Sequence, residues 1–274
     1  PFFNCHVYGR EIVDTFFLSF KYDIKREFES YGLKSIVRQL GLEKTGRTFI
    51  DAGKIRELWK DLEMREHIKQ YNLDDVDDAL KLFDLMAPAY FYWAQSVPQS
   101  FQQIINKATG SQINAMMVRS YLQDDCAIAK ASEVKYIEGG ISFAVPGVYK
   151  NLLKVDLKSA YPSQILRFEL YDKIKDPKKH LYYLTKYFTE QRLKNKELAK
   201  QTGELYYSDV EQSQKVGINS IYGTLGAPGL NYNSPPLAEK ITDETRLVID
   251  QALLWASGRD RDYWIKLFEE KTDV

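Results

Sequence analysis

Apolar residues recur at helical intervals along most of the chain. In residues 33–42, leucine, isoleucine and valine are three or four positions apart, and this spacing predicts an amphipathic helix. Residues 11–18 instead form a short run rich in aromatic and β-branched side chains, which predicts a strand. Helical spacing also predicts helices over 51–62, 73–85, 98–106, 110–122, 176–200, 208–225 and 237–257.

A second extended region is predicted in the middle of the chain. Residues 141–145 and 148–155 are two such runs, and the Pro146-Gly147 turn between them predicts a β-hairpin. Asp156 follows the second run directly. Burial of a carboxylate beside a strand is costly unless the group is paired or binds a metal. A plain strand end with an Asp-initiated turn is the alternative.

Two later segments carry cations at helical spacing. Lys215, Asn219 and Tyr222 fall at i, i+4 and i+7, so they share one helix face. Arg192 and Lys196 are again four apart. An acid followed by two cation-bearing helices suits a polyphosphate substrate.

Composition narrows the class of protein. The chain has 274 residues, 44% of them hydrophobic and 28% charged, which is ordinary for a globular protein with more than one domain. The net charge is zero, but residues 173–200 contain nine Lys or Arg against three acids. Such a stripe is typical of nucleic-acid binding, and a solvated helix face is the alternative.

The sequence also indicates a compartment. Cys5 and Cys126 are far apart, so neither a disulfide framework nor a zinc site is expected, and a reducing cytoplasm fits. The most apolar stretch, 85–94, is too short to span a membrane. No signal peptide is evident, and we expect neither secretion nor membrane contact.

Four motifs together resemble the family B (replicative-type) DNA polymerases. The run D-x-x-S-A-Y-P-S-x-I from Asp156 resembles motif A of that family, with Ala160 where Leu is usual. The run K-x-x-x-N-S-x-Y-G from Lys215 resembles motif B. Tyr136 to Gly140 is similar to the Y-x-G-G loop, and Tyr71 to Asp75 to the Y-x-x-x-D exonuclease motif.

The resemblance implies an α+β fold. We expect a right-hand polymerase palm with an antiparallel sheet and helical-hairpin fingers, preceded by the tail of a ribonuclease H-like exonuclease domain. The implied domains are 1–95 (C-terminal part of the 3′–5′ exonuclease domain), 96–135 (helical linker), 136–172 (first part of the palm, with motif A), 173–226 (fingers, with motif B) and 227–274 (second part of the palm).

The resemblance also implies a set of functional residues. Asp156 is the catalytic acid, and its carboxylate and the carbonyl of Leu157 are metal ligands. Tyr161 discriminates deoxyribose from ribose. The implied nucleotide-binding residues are Leu157, Ser159, Ala160, Tyr161, Arg192, Lys196, Lys215, Asn219 and Tyr222. The implied DNA-binding residues are Tyr136, Gly139, Gly140 and Gly223, and the exonuclease residues are Tyr71 and Asp75, with Asp75 a metal ligand.

The implied function is template-directed addition of dNTPs to a primer 3′ end, with 3′–5′ exonuclease proofreading. Two Mg²⁺ ions are the expected cofactors, with Mn²⁺ able to replace them, and primer–template DNA and dNTPs are the expected partners. The family's Y-x-D-T-D-S motif, which supplies a second metal-binding acid, is not matched at 271–274. We therefore expect an internal fragment, inactive alone, whose partner is a downstream chain carrying that motif and the thumb.

Three interpretations of function follow from these patterns. The first is a polymerase, complete only in a longer or split enzyme of a bacterial or virus-infected cell. The second is a non-catalytic nucleic-acid-binding fragment that uses the basic stripe at 173–200. The third is a stand-alone nuclease, which is disfavoured because only one exonuclease motif is found.

Overall fold

The computed structural model describes residues 5–133, 147–148, 150–151, 156–157 and 159–272. The chain divides into two compact units, Pro1–Lys107 and Ala108–Val274. We call them the first and the second unit. Within the described ranges, no helix is both long and apolar enough to cross a membrane.

All regular elements in the described ranges are helices, and no strand occurs there. The predicted α+β fold, a palm with an antiparallel sheet, is therefore wrong. The helical spacing of apolar residues is what the described structure follows. Most of the predicted hairpin at 141–155 lies outside the described residues. The strand predicted at 11–18 is also wrong: helix α1 is Thr15–Tyr22, and the Asp14 carboxylate caps it by accepting from the Phe16 amide at 2.8 Å.

In the first unit, one long helix organises the others. Helix α4, which begins after the capping residue Asp61, buries large side chains such as Leu82 and Trp93. It contacts every other α-helix of this unit, and its Pro88 is tolerated inside the helix. The remaining elements are α2 (Leu33–Gln39), a 3₁₀ turn (Ala52–Lys54), α3 (Ile55–Leu58), α4 (Leu62–Ala94) and α5 (Phe101–Asn106).

In the second unit, a helical hairpin is the central feature. Its two helices are α8 (His180–Thr202) and α9 (Leu205–Gly226), which pack together along their length. Gly203 ends α8 with φ of 71°, a left-handed conformation that glycine adopts without strain. The other helices are α6 (Thr109–Gln123), α7 (Ala160–Arg167), α10 (Pro235–Ser257) and α11 (Arg261–Thr272).

Small and aliphatic side chains let α9 serve as the core of the second unit. Ile218, Ile221 and Leu225 are buried, as are the small residues Gly217 and Thr224. Helices α6, α7, α8 and α10 all contact α9. The helix that carries the motif B resemblance is therefore fixed on several sides.

Candidate functional site

The residues that resemble motif A lead into helix α7. Asp156 is exposed, and it makes no hydrogen bond or ion pair within the part of the chain that the structure describes. Leu157 is half-buried. Ser159 then adopts φ of 51° and ψ of 51°, and this left-handed residue turns the chain into α7, which begins at Ala160. Pro162 lies in the first turn of the helix, where its missing N–H is tolerated.

Two tyrosines join α7 to α9. The rings of Tyr161 and Tyr222 are stacked, with centroids 4.1 Å apart and planes inclined by 16°. The hydroxyl of Tyr222 also lies 2.8 Å from Oγ1 of Thr242 on α10. Burial, and secondly the neighbouring Tyr222, raise the pKa of Tyr161, so the phenol stays neutral. Stacked aromatic pairs stabilise a fold by about 0.5–1.5 kcal/mol beyond burial.

Arg192 joins α8 to both of these helices. Its Nε donates to Oε1 of Glu211 on α9 at 2.7 Å, and its Nη1 lies 3.4 Å from Oγ of Ser159. The Arg192 and Glu211 side chains are only 19% and 17% exposed. Asp156 is three residues before Ser159, so their Cα atoms are at most about 11 Å apart. The backbone of the candidate acid therefore lies within about 11 Å of the serine that contacts Arg192.

Further polar groups lie on the same two helices. Lys196 and Asn219 are exposed, and Lys215 is half-buried. Among the described residues, no carboxylate pairs with either lysine. Gly223 is exposed, and open space surrounds the position of a Cβ there. The arrangement can therefore offer two cations and an amide to an anionic ligand.

Of the four remaining residues that the sequence assigns to this site, the structure describes only Ala160. Ala160 is half-buried at the start of α7. Tyr136, Gly139 and Gly140 lie outside the described residues, so their DNA-binding role stays a prediction.

Sequence reasoning missed Glu211 and Thr242. Glu211 is four residues before Lys215, so helical spacing alone places it on the face that motif B uses. This signal could have been found. Thr242 contacts Tyr222 from 20 positions away, and no local pattern marks it.

The candidate exonuclease residues lie on α4, one turn apart. The Nζ of Lys34 contacts the Tyr71 hydroxyl and lies 4.1 Å from the centroid of its ring. The guanidinium of Arg47 contacts Asp75, and its Nε lies 2.7 Å from Oδ2 of Asp78. The Arg47 and Asp78 side chains are 2% and 1% exposed, against 28% for Asp75.

A third acid on the same face is bound by the chain around Lys44 and Thr48. The Thr48 amide donates to Asp74 at 2.8 Å, and Nζ of Lys44 lies 3.2 Å away. The Thr48 hydrogen bond is the largest influence lowering the pKa of Asp74, to about 2, with the Gln70 side chain and Lys44 adding to it. This carboxylate is therefore ionised and already bound by protein donors.

The two candidate metal-binding acids fit a divalent cation differently. Mg²⁺ binds through oxygen ligands, and the exposed Asp156 carboxylate is open to provide one. Asp75 already contacts a buried arginine, so its surroundings do not fit a metal. Within the described ranges, no three His, Cys, Asp or Glu side chains are grouped so that they could hold a metal ion.

The fold is similar to the solved structure of the family B DNA polymerase from the hyperthermophilic archaeon Pyrobaculum calidifontis. The TM-score is 0.75 and the sequence identity is 22%. The match covers 92% of this chain and 37% of that polymerase chain, so this chain spans little more than a third of its length. No protein-family model and no curated protein matches the sequence. The likeness shows that this chain shares its fold with that part of the polymerase.

Proposed function

We propose that this chain is the nucleotide-binding part of a family B DNA polymerase, which adds dNTPs to a primer 3′ end as the template directs. The observation that carries the proposal is the junction of α7 with the α8–α9 hairpin. There the Tyr161–Tyr222 stack and the Arg192–Ser159 contact bring the motif A and motif B resemblances together. The polymerase-related fold supports the same function.

In this proposal, residues 173–226 are the fingers, 136–172 and 227–274 are the segments before and after them, and 1–95 correspond to the end of an exonuclease domain. The α8–α9 hairpin supports the assignment of the fingers because a two-residue connection, Gly203 and Glu204, reverses the chain between two long helices. Such a hairpin can present one helix face to a nucleotide.

The cations of the hairpin bind the triphosphate. Arg192 can grip two phosphate oxygens with its planar fork, while Lys196 and Lys215 act as point charges. Glu211 is a positioning residue, because its bond to Nε fixes the guanidinium and leaves other N–H donors for the ligand. Asn219 adds a polar contact beside them.

Tyr161 lies against the sugar of the nucleotide. The stack with Tyr222 restrains its ring, so a ribose 2′-hydroxyl would clash with it. The Tyr222 hydroxyl is in turn fixed by Thr242. The stack therefore selects deoxyribose by rigidity.

Asp156, with the main-chain carbonyl of Leu157, would hold Mg²⁺ or Mn²⁺. When bound, the metal supplies positive charge that polarises the phosphates and stabilises the charge that develops on them. A second acid is needed for two-metal transfer, and the Y-x-D-T-D-S motif is not found in residues 1–274. We therefore assign catalysis to an assembly that includes that motif, on the same polypeptide or on another one.

The second half of α10 offers a surface for the rest of such an assembly. Leu237, Ala238 and Ile241 in its first half are buried, whereas Leu254 and Trp255 are 52% and 83% exposed. Large exposed apolar side chains in one helix are typical of an interaction surface. In this proposal, the rest of the assembly packs on this surface.

Calorimetric titration of the chain with Mg²⁺–dATP and Mg²⁺–ATP tests the proposal. We expect dATP to bind more tightly than ATP, and Arg192→Met to weaken both by roughly tenfold or more, because hydrogen bonds to charged groups contribute about 1.5–3 kcal/mol. Tyr161→Val should bring the two affinities closer. Lys194→Met on the same helix is the matched control and should change neither. Equal binding of Mg²⁺–dATP by wild type and Arg192→Met would contradict the proposal.

Binding of nucleic acid without catalysis is a second candidate function. Tyr183 and Tyr187 on α8 are more than half exposed, beside the cations of the basic stripe at 173–200. Exposed aromatic rings among cations suit stacking on single-stranded bases. This function predicts salt-sensitive DNA affinity that added dNTP and Mg²⁺ leave unchanged.

A further inference from the structure

One turn of α4 concentrates negative charge. Asp74, Asp75 and Asp78 fall within five residues, and Asp74 and Asp78 are almost fully buried. Like charges at this spacing repel each other, and buried carboxylates need a cation or several hydrogen bonds. Either a metal ion or the protein itself must supply that compensation.

The protein supplies a cation at Arg47. Its guanidinium contacts both Asp75 and Asp78, and its Nη1 donates to the Thr48 carbonyl at 3.3 Å. The ring of Phe49 lies 4.9 Å from the guanidinium carbon. An arginine does not lose its proton in a protein, so this charge is present at any pH that the fold survives.

The third acid is bound separately. Asp74 accepts from the Thr48 amide, from Gln70 and from Lys44, at 2.8, 2.9 and 3.2 Å. One oxygen of Asp78 has no hydrogen-bond partner among the described groups. The oxygens left open, Oδ1 of Asp78 behind the arginine and Oδ2 of Asp75, are too few for a divalent cation, which takes six or more oxygens.

We propose that Arg47 permanently occupies the place of a divalent cation on this face of α4. Asp75 is then a structural ion-pair partner that fastens the segment around Arg47 to α4, and it is not a metal ligand. In the first unit, the residues of the exonuclease-like motif, Tyr71 and Asp75, therefore stabilise the fold. This proposal is independent of nucleotide binding in the second unit.

Counting bound Mn²⁺ by electron paramagnetic resonance tests it directly. Asp75→Asn keeps an oxygen that can accept from Arg47 but is a poor metal ligand. We expect this variant to bind as many Mn²⁺ ions as the wild-type chain. Loss of one bound ion in Asp75→Asn would overturn the proposal, whether or not the second unit binds a nucleotide.

Thermal unfolding gives a second test. Arg47→Met should lower the Tm by on the order of 10 °C, because it leaves buried carboxylates without their cation. Excess Mn²⁺ should restore part of that loss in Arg47→Met, whereas any change that it causes in the wild-type Tm should be the same in Asp75→Asn. Lys81→Met removes a cation from the partly exposed pair with Asp77 on the same helix, together with its bond to the Leu42 carbonyl, and is the matched control.

The outcomes of this second test are also decisive. A Tm of Arg47→Met within 2 °C of wild type, as Lys81→Met should show, would mean that Arg47 does not stabilise this face. A rise in the Tm of the wild-type chain with Mn²⁺ that Asp75→Asn abolishes would likewise contradict the proposal. If Arg47→Met does not fold, the Mn²⁺ count in Asp75→Asn still decides.

Discussion

Two aspartates of this chain lie in runs that resemble metal-binding motifs, yet their surroundings are opposite. Asp75 lies inside the long helix α4 and contacts the buried guanidinium of Arg47. Asp156 is exposed ahead of α7 and has no partner among the described residues. A motif thus fixes the position of an acid in the chain, while the neighbouring cations decide whether that acid is open to a ligand.

Two arginines extend the comparison. Arg47 is 2% exposed and contacts two carboxylates, whereas Arg192 is 19% exposed and contacts one carboxylate and a serine hydroxyl. A guanidinium has five N–H donors. Arg192 gives one of them to a carboxylate and is partly exposed, so it can still bind an anionic ligand, whereas burial closes Arg47 to one.

The largest expected effect concerns the buried pair. Asp78→Ala should lower the free energy of unfolding by about 3–5 kcal/mol, because it leaves the Arg47 charge partly uncompensated inside the protein. Urea unfolding measures this loss. Asp77→Ala, one position away at the partly exposed pair with Lys81, should change the stability by less than about 0.5 kcal/mol. Equal effects of the two substitutions would remove the distinction between the buried and the exposed acids.

An intermediate effect is expected at Glu211. Glu211→Ala should weaken binding of Mg²⁺–dATP by roughly tenfold, equivalent to about 1.4 kcal/mol, because Arg192 loses the bond that orients it. Glu211→Gln keeps an oxygen that accepts from Nε and should bind within about twofold of wild type. Calorimetric titration distinguishes them, with folding checked by circular dichroism. If Glu211→Ala binds as well as wild type, the positioning role is refuted.

The smallest effect concerns the pH dependence of stability at Asp74. Its pKa is lowered to about 2 from the ordinary value of 3.8, so its stabilisation is fully present above about pH 4. That stabilisation is lost as the pH falls through about 2. The loss should be smaller in Asp74→Asn than in wild type, as measured by unfolding between pH 5 and pH 2. Parallel pH profiles for the two proteins would show that the carboxylate is not stabilised by its partners.

Periodic sequence patterns predicted much of the helical structure. The helices expected at 33–42, 110–122 and 176–200 appear as Leu33–Gln39, Thr109–Gln123 and His180–Thr202. These segments bury apolar side chains at helical spacing, such as Ile36, Ile113 and Leu181, so the spacing reflects packing. The strand expected at 11–18 is wrong because its aromatic and β-branched residues favour a strand, whereas Asp14 caps a helix that begins at Thr15.

The site was predictable only in part, because its contacts join distant positions. Helical spacing placed Lys215, Asn219 and Tyr222 on one face, and α9 contains all three. The pairing of Arg47 with α4 spans about thirty positions of sequence and is not marked by any local pattern. What surrounds an acid depends on such contacts, which the fold creates and the sequence does not display.

The most direct test is a crystal of the chain soaked with Mn²⁺ and dATP, with anomalous diffraction used to locate manganese. The account predicts an anomalous peak beside the Asp156 carboxylate, with the triphosphate against Arg192, and no peak at Asp75. A peak at Asp75, or a bound nucleotide without metal at Asp156, would contradict it.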